Sequence, residues 1–113
     1  MHEMSLCEGI LQVLEDQAEA QQFKRVKTVW LEIGALAGVE PSAMLFSFDV
    51  VCRGTLADGC KLEIVDQPAI AWCMACGDNV EINQRYDACP RCGGYQLQVT
   101  HGDQMRIKEL EVE

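Results

Sequence analysis

Four of the seven cysteines fall into two close pairs, Cys73 with Cys76 and Cys89 with Cys92, in the spacing C-x2-C-x12-C-x2-C. Each C-x2-C turn can aim two thiolates at one point, and two such turns complete a tetrahedron of sulfur around a zinc ion. Gly77 follows the first pair and Gly93-Gly94 the second, where the backbone must turn tightly beneath the sulfurs. Two redox pairs are the alternative, but a thioredoxin-like C-x-x-C opens a helix within a βαβ unit, and neither pair is followed by a helical pattern. An odd number of cysteines also suits a disulfide framework poorly. Four thiolates close the coordination shell to water and substrate, so the expected zinc is structural and no catalytic residue is assigned. Cys7, Cys52 and Cys60 lie on apolar faces and read as small buried hydrophobes.

A different coordination chemistry is available at Met1-His2-Glu3. The His2 imidazole, the His2 backbone nitrogen and the Met1 amine can close two small chelate rings around one ion. Nitrogen donors in a flat arrangement suit Ni(II) or Cu(II), whose tetragonal preference differs from the tetrahedron of zinc. The plain alternative is a frayed chain end with an ordinary surface histidine. Glu3 also has two readings, one in metal supply or partner contact, the other as negative charge placed favourably before a helix. His101, in His101-Gly102-Asp103, reads as a turn residue between two strands.

The elements that must position these groups follow from apolar spacing. Ser5-Leu6-Cys7-Glu8 has the S-x-x-E form of a helix start, and Cys7, Ile10, Leu11, Leu14 and Ala18 then recur at helical spacing, so a helix is expected from Ser5 to about Gln22. Lys27 to Gly34 alternates, with Val29, Leu31 and Ile33 on one face of a half-buried strand. Pro41 opens a second helix with Leu45, Phe48, Val51 and Cys52 as its stripe and Gly54 as its stop. Cys60 to Val65 reads as a second strand, which Pro68 ends.

From about Ile70 to Thr100 the chain holds both cysteine pairs but few aliphatic residues, so it is expected to lack a core of its own and to need another source of stability. In Met105 to Glu113 the apolar parity switches between Ile107 and Leu110, and a β-bulge near Lys108-Glu109 would restore one face. This ending has too few apolar neighbours to stand alone and is expected to return to the strands of the first half. The expected class is α+β, a small mixed sheet with two helices and an inserted four-cysteine ribbon. Residues 1–69, completed by 101–113, would form the first domain and residues 70–100 the second.

Among the 113 residues, nine Lys and Arg face eighteen Asp and Glu, a formal charge of -9 that repels a phosphate backbone. Four thiolates around one divalent ion lower the charge by a further two. For a nucleic-acid surface only Arg85, Arg91 and Tyr95 are candidates. No run approaches the roughly 20 apolar residues that cross a bilayer, and the opening residues lack the basic start and apolar run of a secretory signal. A soluble, cytoplasmic protein is expected.

Taken together, Met1-His2-Glu3, the helix opening Ser5-Leu6-Cys7, the strand Val29-Trp30-Leu31-Glu32-Ile33-Gly34-Ala35, the segment Phe46 to Gly54 and the two C-x2-C pairs resemble the HypA/HybF family of nickel metallochaperones over nearly the whole chain. The resemblance implies a non-enzymatic protein that binds Ni(II) and helps insert it into the large subunit of [NiFe]-hydrogenase, together with the GTPase HypB. In some bacteria the family also serves urease maturation, which makes urease accessory proteins further candidate partners. It implies nickel ligation by His2, assisted by the Met1 amine and the backbone nitrogens of His2 and Glu3, and zinc ligation by Cys73, Cys76, Cys89 and Cys92. Some members add a carboxylate from the loop after the first strand. Glu40 stands there in place of Asp, either as a further nickel ligand or as a capping group beside Pro41. The rival reading is a zinc-ribbon adaptor for protein or nucleic acid with no nickel role. A small zinc enzyme would need an open metal position and a nearby acid or base, and the sequence offers neither.

Overall fold

The computed structural model describes residues 2–113. Two helices, α1 (His2–Gln21) and α2 (Pro41–Cys52), and six strands, β1 (Val26–Gly34), β2 (Lys61–Gln67), β3 (Ala69–Cys73), β4 (Asp78–Ile82), β5 (Leu97–His101) and β6 (Met105–Val112), follow one another as α1-β1-α2-β2-β3-β4-β5-β6. The fold is α+β. Its strands form two small sheets, ordered β2-β1-β6 and β4-β3-β5, so the last strand does return beside the first. Contacts divide the chain into two compact units, one of Met1–Leu31, Val39–Ile64 and Ile107–Glu113, the other of Glu32–Gly38 and Val65–Arg106.

In the first unit α1 lies against α2. Helix α1 buries Cys7, Ile10 and Leu14, which recur at helical spacing, while α2 buries Met44, Phe48 and Cys52, one turn apart. Val26, Val29 and Leu31 of β1 are fully buried as well. Each large apolar side chain taken out of water here contributes about 1.5–3 kcal/mol. The buried stripe of α2 differs from expectation, because Leu45 is exposed and Met44 takes the inward position. Helix α1 also starts earlier than Ser5. Glu3 places its carboxylate in the first turn, where negative charge offsets the positive end of the helix, so the Ser5–Glu8 pattern lies inside the helix and does not cap it. The helix ends where Gln22 turns left-handed at φ 61, and its side-chain amide donates to the Glu19 carbonyl at 3.1 Å.

The second unit corrects the expectation of a coreless segment. Strand β3 is flanked by β4 and β5, both antiparallel, with Ala71 opposite Val80 and Val99 and a register shift between Ile70 and Ala71 on the β5 side. Ala69, Ala71, Cys73, Val80, Ile82 and Cys89 form a small buried cluster, joined by Leu36 from the loop after β1 and flanked by Cys76, Leu97 and Val99. Leu36 comes from far upstream, so the spacing within 70–100 could not reveal it. At the edge of this cluster two backbones nearly touch. A Cβ on Gly34 would lie 2.2 Å from the Gly102 carbonyl oxygen, and one on Gly102, at φ 92, would lie 2.5 Å from the Ala69 Cα. The Leu36 amide donates to that same carbonyl at 2.7 Å. His101 is thus the last residue of β5, before the turn at Gly102. In β6 the half-buried residues are Met105, Ile107 and Leu110, a change of parity across Lys108-Glu109.

Candidate metal centre

The turn after β3 and the turn after Cys89 are built alike. In the first, the Gly77 amide donates to the Cys73 carbonyl at 2.8 Å, and in the second the Gly93 amide donates to the Cys89 carbonyl at 2.8 Å. Both glycines are left-handed, at φ 66 and φ 76, a conformation that a side chain would oppose. Each turn also aims an amide at its leading sulfur, Cys76 N–H at the Cys73 Sγ and Arg91 N–H at the Cys89 Sγ, both at 3.4 Å. The Cys89 amide donates to the Gly94 carbonyl at 2.7 Å, which closes the second turn. Arg91 reaches Asp78, the first residue of β4, at 3.0 Å.

These turns bring the Sγ atoms of Cys73, Cys76, Cys89 and Cys92 within 4.8 Å of one another. The Cys73–Cys92 and Cys76–Cys89 pairs stand at 3.7 Å and 3.9 Å. A tetrahedron with bonds of about 2.3 Å has sulfur–sulfur edges of about 3.8 Å, the size of a tetrathiolate zinc site. The donor set therefore fits a single soft divalent ion. Amide donation from Cys92 and then Arg91 draws the Cys89 thiol down to about 6, while hydrogen bonding with Cys92 and Cys73 pushes the Cys76 thiol up to about 12. A cation resolves that opposition by favouring the thiolate at every position.

The other cysteines have no part in this cluster. Cys7 lies on α1 with its Sγ 3.9 Å from the Met44 sulfur, and Cys52 ends α2. Both are buried, whereas Cys60 is only half-buried. Burial pushes the Cys7 thiol up to about 11 and the Cys52 thiol up to about 12, which leaves both protonated and poor as ligands or nucleophiles at neutral pH.

In the first unit the structure brings His2, Glu3 and Glu40 together. The His2 Nε2 lies 3.5 Å from the Glu3 Oε2, with the imidazole mostly exposed and the carboxylate buried. The same Glu3 oxygen accepts from the Glu40 amide at 3.4 Å, across 37 residues of sequence. Donation from Glu3's own amide, then from that of Glu40, holds the Glu3 carboxyl below its ordinary range. This tie was not legible in the sequence, which offered the Glu3 carboxylate for metal supply, partner contact or helix-end charge. Met1, whose amine completes the expected nickel donors, lies outside the described residues. Glu40 is the N-cap of α2, and its Oε1 accepts from the Ser42 amide at 3.3 Å and the Ser42 hydroxyl at 2.7 Å. The candidate ligand thus has a capping role in this structure. His101 contacts only Thr100 among its polar neighbours, at 3.1 Å, and stands apart from both clusters.

The family described as "Hydrogenase/urease nickel incorporation, metallochaperone, hypA" matches residues 1–112. The chain is 65% identical over 113 residues to a hydrogenase maturation factor HypA of Alkalilimnicola ehrlichii and 63% identical to one of Azotobacter chroococcum, covering 100% of both chains in each case. It superposes on the solution structure of the Ni metallochaperone HypA from Helicobacter pylori with a TM-score of 0.73 at 25% identity, covering 99% of this chain and 97% of that one. The chain belongs to the HypA family, whose work is nickel incorporation into hydrogenase.

Proposed function

We propose that the chain is a non-enzymatic carrier that takes up Ni(II) at its first residues and releases it for [NiFe]-hydrogenase maturation. The observation that carries this reading is the fixed pair at the start of α1, an exposed His2 imidazole 3.5 Å from a buried Glu3 carboxylate. The first amides of a helix have no intrahelical acceptor, so the His2 and Glu3 nitrogens can serve as donors without loss of a helical hydrogen bond. His2 would ligate through its imidazole and backbone nitrogen, the Met1 amine would complete the chelate rings, and Glu3 would hold the first turn in place through the Glu40 amide. Because Glu40 is engaged as a cap, we assign it to positioning and not to ligation.

Cys73, Cys76, Cys89 and Cys92 would hold a structural Zn(II), which neutralises thiolate repulsion and stabilises the turns of its unit. Residues 1–69 with 101–113 would serve as the nickel-binding domain and residues 70–100 as the zinc ribbon. HypB and the hydrogenase large subunit are the proposed partners, with urease accessory proteins where the family serves urease, and the cytoplasm is the proposed compartment. None of the described helices is long and apolar enough to cross a membrane. An accessible site exchanges its ion without opening a core, as delivery requires.

Isothermal titration of the zinc-loaded protein with Ni(II) tests the reading. Loss of uptake in His2→Ala, and in a chain with one residue added before Met1, is the expected result. Undiminished uptake in both overturns the N-terminal site.

A further inference from the structure

Arg85 and Tyr95, which the sequence offers only as thin candidates for nucleic-acid contact, come together in the second unit with Tyr86. They border a cleft of about 220 Å3 whose floor is Ile82, Leu97 and Val99, with Asp87 on its wall. The two tyrosine rings are 93% and 74% exposed, and aromatic side chains so placed have an apolar face with nothing against it. Tyr86 is held at φ 70, a left-handed conformation that costs a bulky residue about 1–3 kcal/mol and collects at ligand-contacting positions. The loop that imposes it is fastened by Asp87, whose Oδ2 accepts from the Asn83 and Gln84 amides at 3.0 Å each. That oxygen is therefore engaged by the loop.

Charge decides what the cleft would accept. Of the three arginines in this unit, Arg91 pairs with Asp78 and Arg106 with Glu32, whereas Arg85 forms no ion pair among the described residues. An unpaired guanidinium beside apolar floor and aromatic rim matches a carboxylate adjoining an apolar side chain. The cleft falls below the roughly 300 Å3 of a small-molecule site, and one side chain fills it. With a chain charge of -9 and, among the described residues, a single cation lining the cleft, a phosphate backbone with its repeated charge is the poorer occupant. We propose that Arg85, Tyr86 and Tyr95 form a docking cleft for a partner protein, seating one apolar side chain with a single carboxylate beside it. This surface is separate from the metal donors, and its test does not depend on nickel.

The probe is N-acetyl-leucine, titrated into the zinc-loaded full chain while the ring signals of Tyr86 and Tyr95 and the methyl signals of Leu97 and Val99 are followed by NMR. Saturable shifts at these signals are expected, with about two- to fivefold weaker response to N-acetyl-leucinamide and to the acid in Arg85→Gln, the scale of one exposed ion pair. Tyr95→Ala, its amide spectrum otherwise unchanged, should lose the response. Absence of saturable shifts, or equal response to acid and amide, overturns the proposal. So does preferential displacement of the same signals by oligouridylate.

Discussion

At the scale of single residues, chemistry follows from how each cysteine and carboxylate is surrounded. The Cys73 sulfur is one of four that lie within 4.8 Å of one another, so on the proposed zinc assignment Cys73→Ser should lower bound zinc below one equivalent when metal is counted by plasma emission after gel filtration. Unchanged stoichiometry would refute the assignment. Cys7 and Cys52 are kept protonated by burial. Their contribution to stability is complete below the ordinary thiol range and is lost as pH rises through about 11 and about 12. In neutral buffer iodoacetamide should therefore leave both unlabelled in the folded, metal-loaded chain; peptide mass mapping reads this directly. Glu3 has the opposite sign. Its folded value lies below the ordinary glutamate range, so the ionised carboxylate contributes stability above that range and loses it as pH falls through the lowered value. Denaturant titrations at stepped pH should show wild type losing more stability on acidification than Glu3→Gln, and parallel curves would remove Glu3 from its proposed position.

The elements act through their ends and close approaches. Glu40 both caps α2 and donates its amide to Glu3. Glu40→Ala should lose about 0.5–2 kcal/mol of stability through the lost cap. Glu40→Ser keeps a capping oxygen and removes the carboxylate. Nickel affinity equal to wild type in the serine variant is expected of a positioning role, and a marked fall would make Glu40 a ligand after all. The tight turn at Gly102 is less forgiving, since a Cβ there meets the backbone of Pro68 and Ala69 at 2.5 Å in a left-handed conformation. Gly102→Ala should lower stability by about 2–4 kcal/mol, from strain and crowding together, as measured by thermal unfolding.

For the molecule as a whole, the two compact units rely on different sources of stability. Both helices and the largest buried side chains, Phe48, Leu14, Leu31 and Met44, belong to the first unit. The second has alanines, cysteines and a few aliphatic residues at its centre, so small a core that the proposed zinc would supply part of its stability. Removal of zinc by a strong chelator should therefore leave most of the helical circular dichroism in place while the amide signals of β3, β4 and β5 collapse toward unfolded positions. Loss of both together would show that the units do not differ in this way.

The local patterns were legible because they depend on neighbours in sequence. The repeat of Cys7, Ile10 and Leu14 marks α1, the alternation from Lys27 to Gly34 marks β1, Pro41 marks the start of α2, and paired cysteines with their glycines mark the metal turns. The capping signal at Ser5 misled for the same reason, since the Glu3 carboxylate that accompanies an earlier helix start is fixed by the amide of Glu40, in a loop distant in sequence. Leu36 completing the second core, Gly34 meeting Gly102, and Arg85 and Tyr86 meeting Tyr95 likewise arise only when separate segments fold against one another. By itself the amino-acid order determined which groups could bind a metal and which segments would be helix or strand, because coordination preference and apolar spacing are local properties. Tertiary structure alone decided which carboxylate is buried and tied, which is spent on a cap, and which side chains line the cleft beside Arg85, because those outcomes depend on distances across the fold.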